Sequence, residues 1–302
     1  MNTQPAVTNT TSISPDTEIG AVALTVSDLE RSLAFYENVL GFRVLNRIDN
    51  SAVLGTDDKI PLLTLTERKG ATPQPRRSTG LYHFAILLPS RADLGRSLQH
   101  LLDSNYPLAG ASDHLVSEAL YLSDPDNNGI EIYRDRPRAE WQWGNGQVVM
   151  ATDPLDLRGV LTESTRNPSP WTGLAAGTRI GHIHLQVGDI PLAAEFYHRV
   201  MGFDVVTAMS SALFISAGGY HHHIGLNTWS SLRAPQPPEG SAGLRFFTIT
   251  LPNSDARQQV LTRLEDAHIP FETHGENVIV RDPWNNAIWL TVGTLKDDAL
   301  LS

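Results

Sequence analysis

Residues 18–26, "EIGAVALTV", alternate apolar side chains in the manner of a β-strand with a buried face. Ser27 and Asp28 then precede "LERSLAFYENVL", where Leu33, Tyr36 and Leu40 recur at helical spacing and Gly41 supplies a helix end. The spacing predicts strand then helix. Further apolar runs, "SAVLG", "KIPLLTLTE" and "LYHFAILLP", lead to a second amphipathic stretch, "RADLGRSLQHLLDSN", and then to "EALYLSDPDNNGIEIY".

The same order returns later in the chain. Residues 179–205, "RIGHIHLQVGDIPLAAEFYHRVMGFDV", match residues 18–44 without a gap, with Tyr36 and Tyr197, Gly20 and Gly181, and Asp28 and Asp189 all 161 positions apart (197 − 36). A duplication is the simplest cause. "SALFIS", "HHHIGLNTW", "LRFFTITLP", "SDARQQVLTRLEDAH" and "NVIVRDPWNNAIWLTV" complete the second copy. The expected fold class is α+β, with four βαβββ modules in two tandem domains. Expected boundaries are a loose tail over 1–17, domains over 18–136 and 179–294, a linker over 137–178 whose clearest part is "RNPSPWTGLAAG", and a tail over 295–302.

Charge and composition narrow the function. A net charge of −10 and a pI near 5.5 leave no basic stripe for phosphates, so nucleic acid is excluded as a partner and a small organic substrate is expected. The chain has no cysteine, so any metal must sit on nitrogen and oxygen. The N-terminus has neither a basic head nor an apolar core, and no apolar run is long enough to span a bilayer. A cytoplasmic protein without membrane contact is expected, with self-association left open.

The most unusual stretch is "GYHHHIGLN", residues 219–227. If it is extended, His221 and His223 share one face and His222 takes the other, so the triplet is not by itself a three-ligand site.

The strand–helix openings, the "YHFAILL" strand and the "DPDNNGIEIY" ending resemble the vicinal oxygen chelate superfamily, and in particular its extradiol dioxygenases of the catechol 2,3-dioxygenase type. The likeness spans nearly all of residues 18–293. It implies metal ligands on the first strands of two partner modules and on the last strand of one. Those positions hold His83 and Glu131 in the first half and His182 in the second, while their counterparts are Phe246, Trp289 and Ala21. Neither half is complete, but modules two and three together offer two imidazoles and a carboxylate, the set that holds non-heme Fe(II), with Mn(II) as the other candidate. The site would form within one chain or between two. His184, on the face of His182, is an alternative ligand or a wall residue.

The resemblance further implies that His223 is the acid–base histidine, with His221 at the mouth and His222 pointing away. It assigns His114 and Tyr121, ahead of the Asp124-Pro125 turn and Glu131, to substrate orientation and oxygen stabilisation. The expected reaction is ring cleavage of an aromatic diol by O2. Two rivals share the scaffold. A glyoxalase-type lyase or isomerase would need a second glutamate where this chain has "HIGLN", and a metal-free drug-sequestering protein would need no ligand set.

Overall fold

The computed structural model describes residues 12–144, 147–166, 168–293, 295 and 300–301. The first module runs β1 (Glu18–Val26), α1 (Leu29–Phe35), β2 (Arg43–Ile48), β3 (Ser51–Gly55) and β4 (Pro61–Glu67). The second runs β5 (Gly80–Leu87), α2 (Arg91–Asp103), β6 (Gly110–Asp113), β7 (Ser117–Ser123) and β8 (Gly129–Asp135). Between the halves lie three two-residue strands, β9 (Trp143–Gly144), β10 (Gln147–Val148) and β11 (Asp153–Pro154), and helix α3 (Leu157–Arg166). The third module contains β12 (Arg179–Gln186), α4 (Ile190–Ala193), β13 (Asp204–Met209), β14 (Ala212–Ser216) and β15 (Ile224–Asn227). The fourth contains β16 (Gly243–Leu251), α5 (Ser254–Asp266), β17 (Phe271–His274), β18 (Asn277–Arg281) and β19 (Ala287–Val292).

The duplicated openings fold alike for the same local reasons. The Asp28 carboxylate accepts from the Arg31 amide and Asp189 from the Leu192 amide, each capping a helix start. Both helices then widen into π-helical turns, Tyr36–Leu40 and Ala194–Val200. Gly41 ends the first at a φ of 86°, a left-handed conformation that a side chain would strain. Buried Tyr36 and Tyr197 donate to Asp124 and Asp282 at 2.9 Å, tying each helix to the Asp-Pro turn of the next module.

Strand pairing does not follow the two halves. An eight-stranded sheet, β17-β18-β19-β16-β1-β4-β3-β2, joins the first module to the fourth. A nine-stranded sheet, β11-β6-β7-β8-β5-β12-β15-β14-β13, joins the second to the third. The seams are the antiparallel pairs β1–β16 and β5–β12. These strands are buried on both faces over most of their length, so their stable place is the middle of a sheet rather than an edge.

The segment expected as a linker is largely built into the body. Helix α3 packs on α2, where Arg91 donates to the Gly159 carbonyl at 3.0 Å and Val160 is fully buried. β11 extends the nine-stranded sheet by pairing with β6. The described end of the expected N-terminal tail is also docked: Ile13 is buried and its amide donates to Gly202 at 2.7 Å. Residues 1–11 of that tail, and 294, 296–299 and 302 at the other end, lie outside the described residues.

Candidate metal centre and cavity

Sheet register sets the site. Tyr121 on β7 lies opposite Glu131 on β8, Glu131 opposite Ala85 on β5, and Ala85 opposite His182 on β12. Residues facing one another across adjacent strands project to the same face, so this row points one way. Ala85 carries only a methyl group, which leaves space in which its two long neighbours meet. His83 lies opposite His184 in the next row, and a bulge between Ile180 and His182 shifts the β5–β12 register beside them.

Three donor atoms converge there. His83 Nε2 lies 3.0 Å and His182 Nε2 3.1 Å from the same Glu131 oxygen, Oε2, and the two nitrogens are 3.4 Å apart. All three residues are buried and could hold one metal ion within this single chain. Ligands bound at about 2.0–2.2 Å and roughly at right angles stand about 3 Å apart, which is the spacing found. Electrostatics favour the same use. Burial lowers the His182 pKa to about 4. For Glu131, burial acts upward, but His182 and His83 outweigh it and hold the carboxyl well below its usual range. A neutral His182 imidazole beside an ionised Glu131 carboxylate is a pairing of protonation states that suits a cation. His182 Nδ1 is buried without a hydrogen-bond partner, so its ring is oriented by packing against Tyr133 and His222, with centroids 4.8 and 4.1 Å away.

A cavity of about 530 Å³ opens beside the cluster. On one side Tyr121 donates its hydroxyl to His114 Nε2 at 2.6 Å, while His114 Nδ1 donates to the Ala151 carbonyl at 2.6 Å. A carbonyl can only accept, so the His114 tautomer is fixed with the proton on Nδ1. Burial, and then the Glu131 charge, raise the Tyr121 pKa and keep its proton in place. Tyr82, Met150, Met209, Phe214 and Trp229 supply apolar and aromatic lining. His184 is a wall residue whose Nε2 accepts from the Asn227 amide at 3.0 Å, and it stands outside the three-donor cluster.

The histidine triplet departs from the alternation expected of it. His222 lines this cavity, whereas His223 lines a second cavity and accepts the Ala217 amide at Nδ1, 3.1 Å away. Fully buried His221 lies between them and reaches neither mouth. Gly218 and Gly219 both have positive φ, 58° and 66°, and regular strand begins only at Ile224. The triplet therefore belongs to the exit of a turn, where strict two-residue alternation does not hold. The Gly-Gly pair was the available sign. His223 is accordingly replaced by His222 as the histidine facing the cluster.

The counterpart region in the eight-stranded sheet is filled. Phe246 and Trp289 stack at 4.3 Å with planes 13° apart, packed with Ala21 and Leu300 in one buried apolar cluster.

The model of the Glyoxalase/Bleomycin resistance protein/Dioxygenase superfamily matches residues 18–132 and 179–290. The chain belongs to this superfamily. Among its members, a catechol-2,3-dioxygenase of Bacillus subtilis (strain 168) is 49% identical over 281 residues, covering 92% of this chain and 98% of the relative. Solved structures of the superfamily's fold include a putative dioxygenase from Bacillus subtilis, with a TM-score of 0.61, 15% identity and coverage of 93% of this chain and 86% of that one. Glyoxalase I from Zea mays has a TM-score of 0.54 at 14% identity, covering 91% and 92%. At those identities the structures speak to fold alone, and they agree with the tandem α+β architecture expected from the repeat.

Proposed function

We propose that the protein is an extradiol ring-cleaving dioxygenase that acts on a catechol-type aromatic diol with O2 at a mononuclear non-heme Fe(II) site, with Mn(II) as the alternative ion. The observation that carries this reading is the convergence of His83, His182 and Glu131, the first and last of which line the cavity, in a chain 49% identical to a catechol-2,3-dioxygenase. These three residues would hold the ion. When bound, it supplies a cationic site with open positions, where diol oxygens and dioxygen can meet and exchange electrons. Among the described residues β15 offers no carboxylate as a fourth ligand, which separates this set from a glyoxalase-type site.

The protein's own side chains supply orientation and proton handling. Tyr121, its proton committed to His114 and that ring in turn held by the Ala151 carbonyl, offers its hydroxyl oxygen beside Glu131 as an acceptor that orients a diol hydroxyl. His222 takes a diol proton at Nε2 and returns it to the product, because its Nδ1 is already engaged by His221. Its burial holds its pKa well below the usual histidine value, so the free ring is neutral and able to accept. Tyr82, Phe214 and Trp229 give the cavity an aromatic wall against which the substrate ring packs.

Among the described residues the cavity lining contains neither lysine nor arginine, so the ring substituents it accommodates are uncharged and apolar. Desolvating an unpaired carboxylate here would cost several kcal/mol. Alkyl- or aryl-substituted catechols are thus expected to exceed carboxylated catechols in kcat/KM by about 100-fold or more. Equal values for the two series would show that a cation reaches the cavity.

The direct test is purification without air, loading with Fe(II), then addition of catechol and air. The expected outcome is a yellow ring-fission product and uptake of O2. Protein that retains neither iron nor manganese and yields no product with added Fe(II) would overturn the reading.

A further inference from the structure

His222 does not stand alone behind the cavity. Its Nδ1 lies 2.8 Å from His221 Nδ1, and His221 Nε2 lies 2.9 Å from the Asp135 carboxylate. Asp135 is also the acceptor for the Tyr220 hydroxyl at 2.9 Å, and Tyr220 lies 2.8 Å from the Tyr133 hydroxyl. The chain links the first cavity to a second one. His221 is fully buried, whereas the Asp135 side chain is 25% exposed and, with Tyr220, lines the second cavity of about 440 Å³.

The direction of these hydrogen bonds is not free. A carboxylate only accepts, so the nitrogen facing Asp135 must be His221 Nε2–H. When that is the only proton on the His221 ring, the other nitrogen is an acceptor and His221 Nδ1 receives Nδ1–H from His222. His222 Nε2 is left with a lone pair and no partner among the described residues, in a side chain that lines the catalytic cavity. Without the carboxylate, nothing in this chain would select between the two tautomers of His221, and so none would be imposed on His222.

We propose that Asp135 and His221 are positioning residues that fix His222 in the tautomer presenting an Nε2 lone pair to the diol. This inference rests on the dioxygenase reading for the identity of the diol, but the tautomers follow from the hydrogen-bonded chain itself. Glu131, Tyr133 and Asp135 alternate along β8, so one strand face carries both the metal-facing carboxylate and the one that orients the base. The arrangement keeps the second carboxylate away from the ion, with two histidine rings between it and the cavity.

A double-mutant cycle tests the chain. Asp135→Asn removes the obligate acceptor, and His221→Phe removes the link while keeping a flat ring. Each is expected to lower kcat by about 10- to 100-fold, the usual range for such outer partners, with KM and bound iron close to wild type. The double variant should be no slower than His221→Phe, because Asp135 acts only through His221. Multiplying losses, or a rise in KM in place of a fall in kcat, would overturn the proposal. Independently of turnover, 15N NMR of the full chain loaded with Zn(II) should find His221 protonated at Nε2 and His222 at Nδ1, with a mixture in Asp135→Asn. Finding His222 protonated at Nε2 in the unaltered protein would also overturn it. Should the protein fail to cleave any diol while these tautomers are found, the dioxygenase reading falls and the positioning role stands. Should His221→Phe not fold, Asp135→Asn and the NMR measurement decide.

Discussion

Glu131→Gln, purified without air and loaded with Fe(II), is expected to bind iron about two to four orders of magnitude more weakly than the unaltered protein. Gln keeps the shape of the side chain and can still hydrogen-bond His83 and His182, so the fold should persist. What disappears is the one negative charge at the point where both Nε2 atoms converge, 3.0 and 3.1 Å from Oε2. Removing one member of a buried charge pair costs roughly 3–5 kcal/mol, which is that span in affinity. His182→Ala should abolish iron binding as well, whereas His184→Ala should retain it, because His184 Nε2 is turned to Asn227. Iron per chain, measured after anaerobic desalting and read beside a thermal melt, checks all three. Full iron occupancy in Glu131→Gln, or loss in His184→Ala with retention in His182→Ala, would assign the wrong donors.

Much of this site was legible before any coordinates. Each half of the repeat carries an incomplete ligand set, His83 with Glu131 and His182 alone, and only modules two and three complement one another. That incompleteness pointed to pairing across the halves, and the β5–β12 seam supplies it. The filled twin was legible for the same reason, since Phe246 and Trp289 cannot ligate and instead stack. Other features were not legible. Polar and proline-bearing composition suggested a tether over 137–178, yet α3 covers α2 there, because adjacent Val160 and Leu161 pack against the core and dock a helix whose remaining surface is mostly polar. Asp135 gave no signal in sequence: its role depends on a turn more than eighty positions away that brings His221 to its carboxylate. Register at the histidine triplet failed because alternation is a property of strands, and the backbone there has only just left two consecutive positive-φ glycines.

That failure makes the second large effect a choice between adjacent residues. His222→Gln is expected to lower kcat by about 10²- to 10⁴-fold, the usual contribution of a positioned acid–base group. Bound iron should be unchanged, because His222 is not one of the three converging donors. His223→Gln should leave kcat close to that of the unaltered protein. Burial holds the His223 pKa down at about 3, and its Nδ1 is occupied by the Ala217 amide on the side of the second cavity. The ring is therefore a neutral structural acceptor that a glutamine oxygen can replace. Single-turnover rates for ring fission in the two variants, each loaded to equal iron, separate the roles without interference from product release. A slow His223→Gln beside an unimpaired His222→Gln would restore the alternating-strand reading, and with it a backbone at residues 219–223 unlike the turn found here.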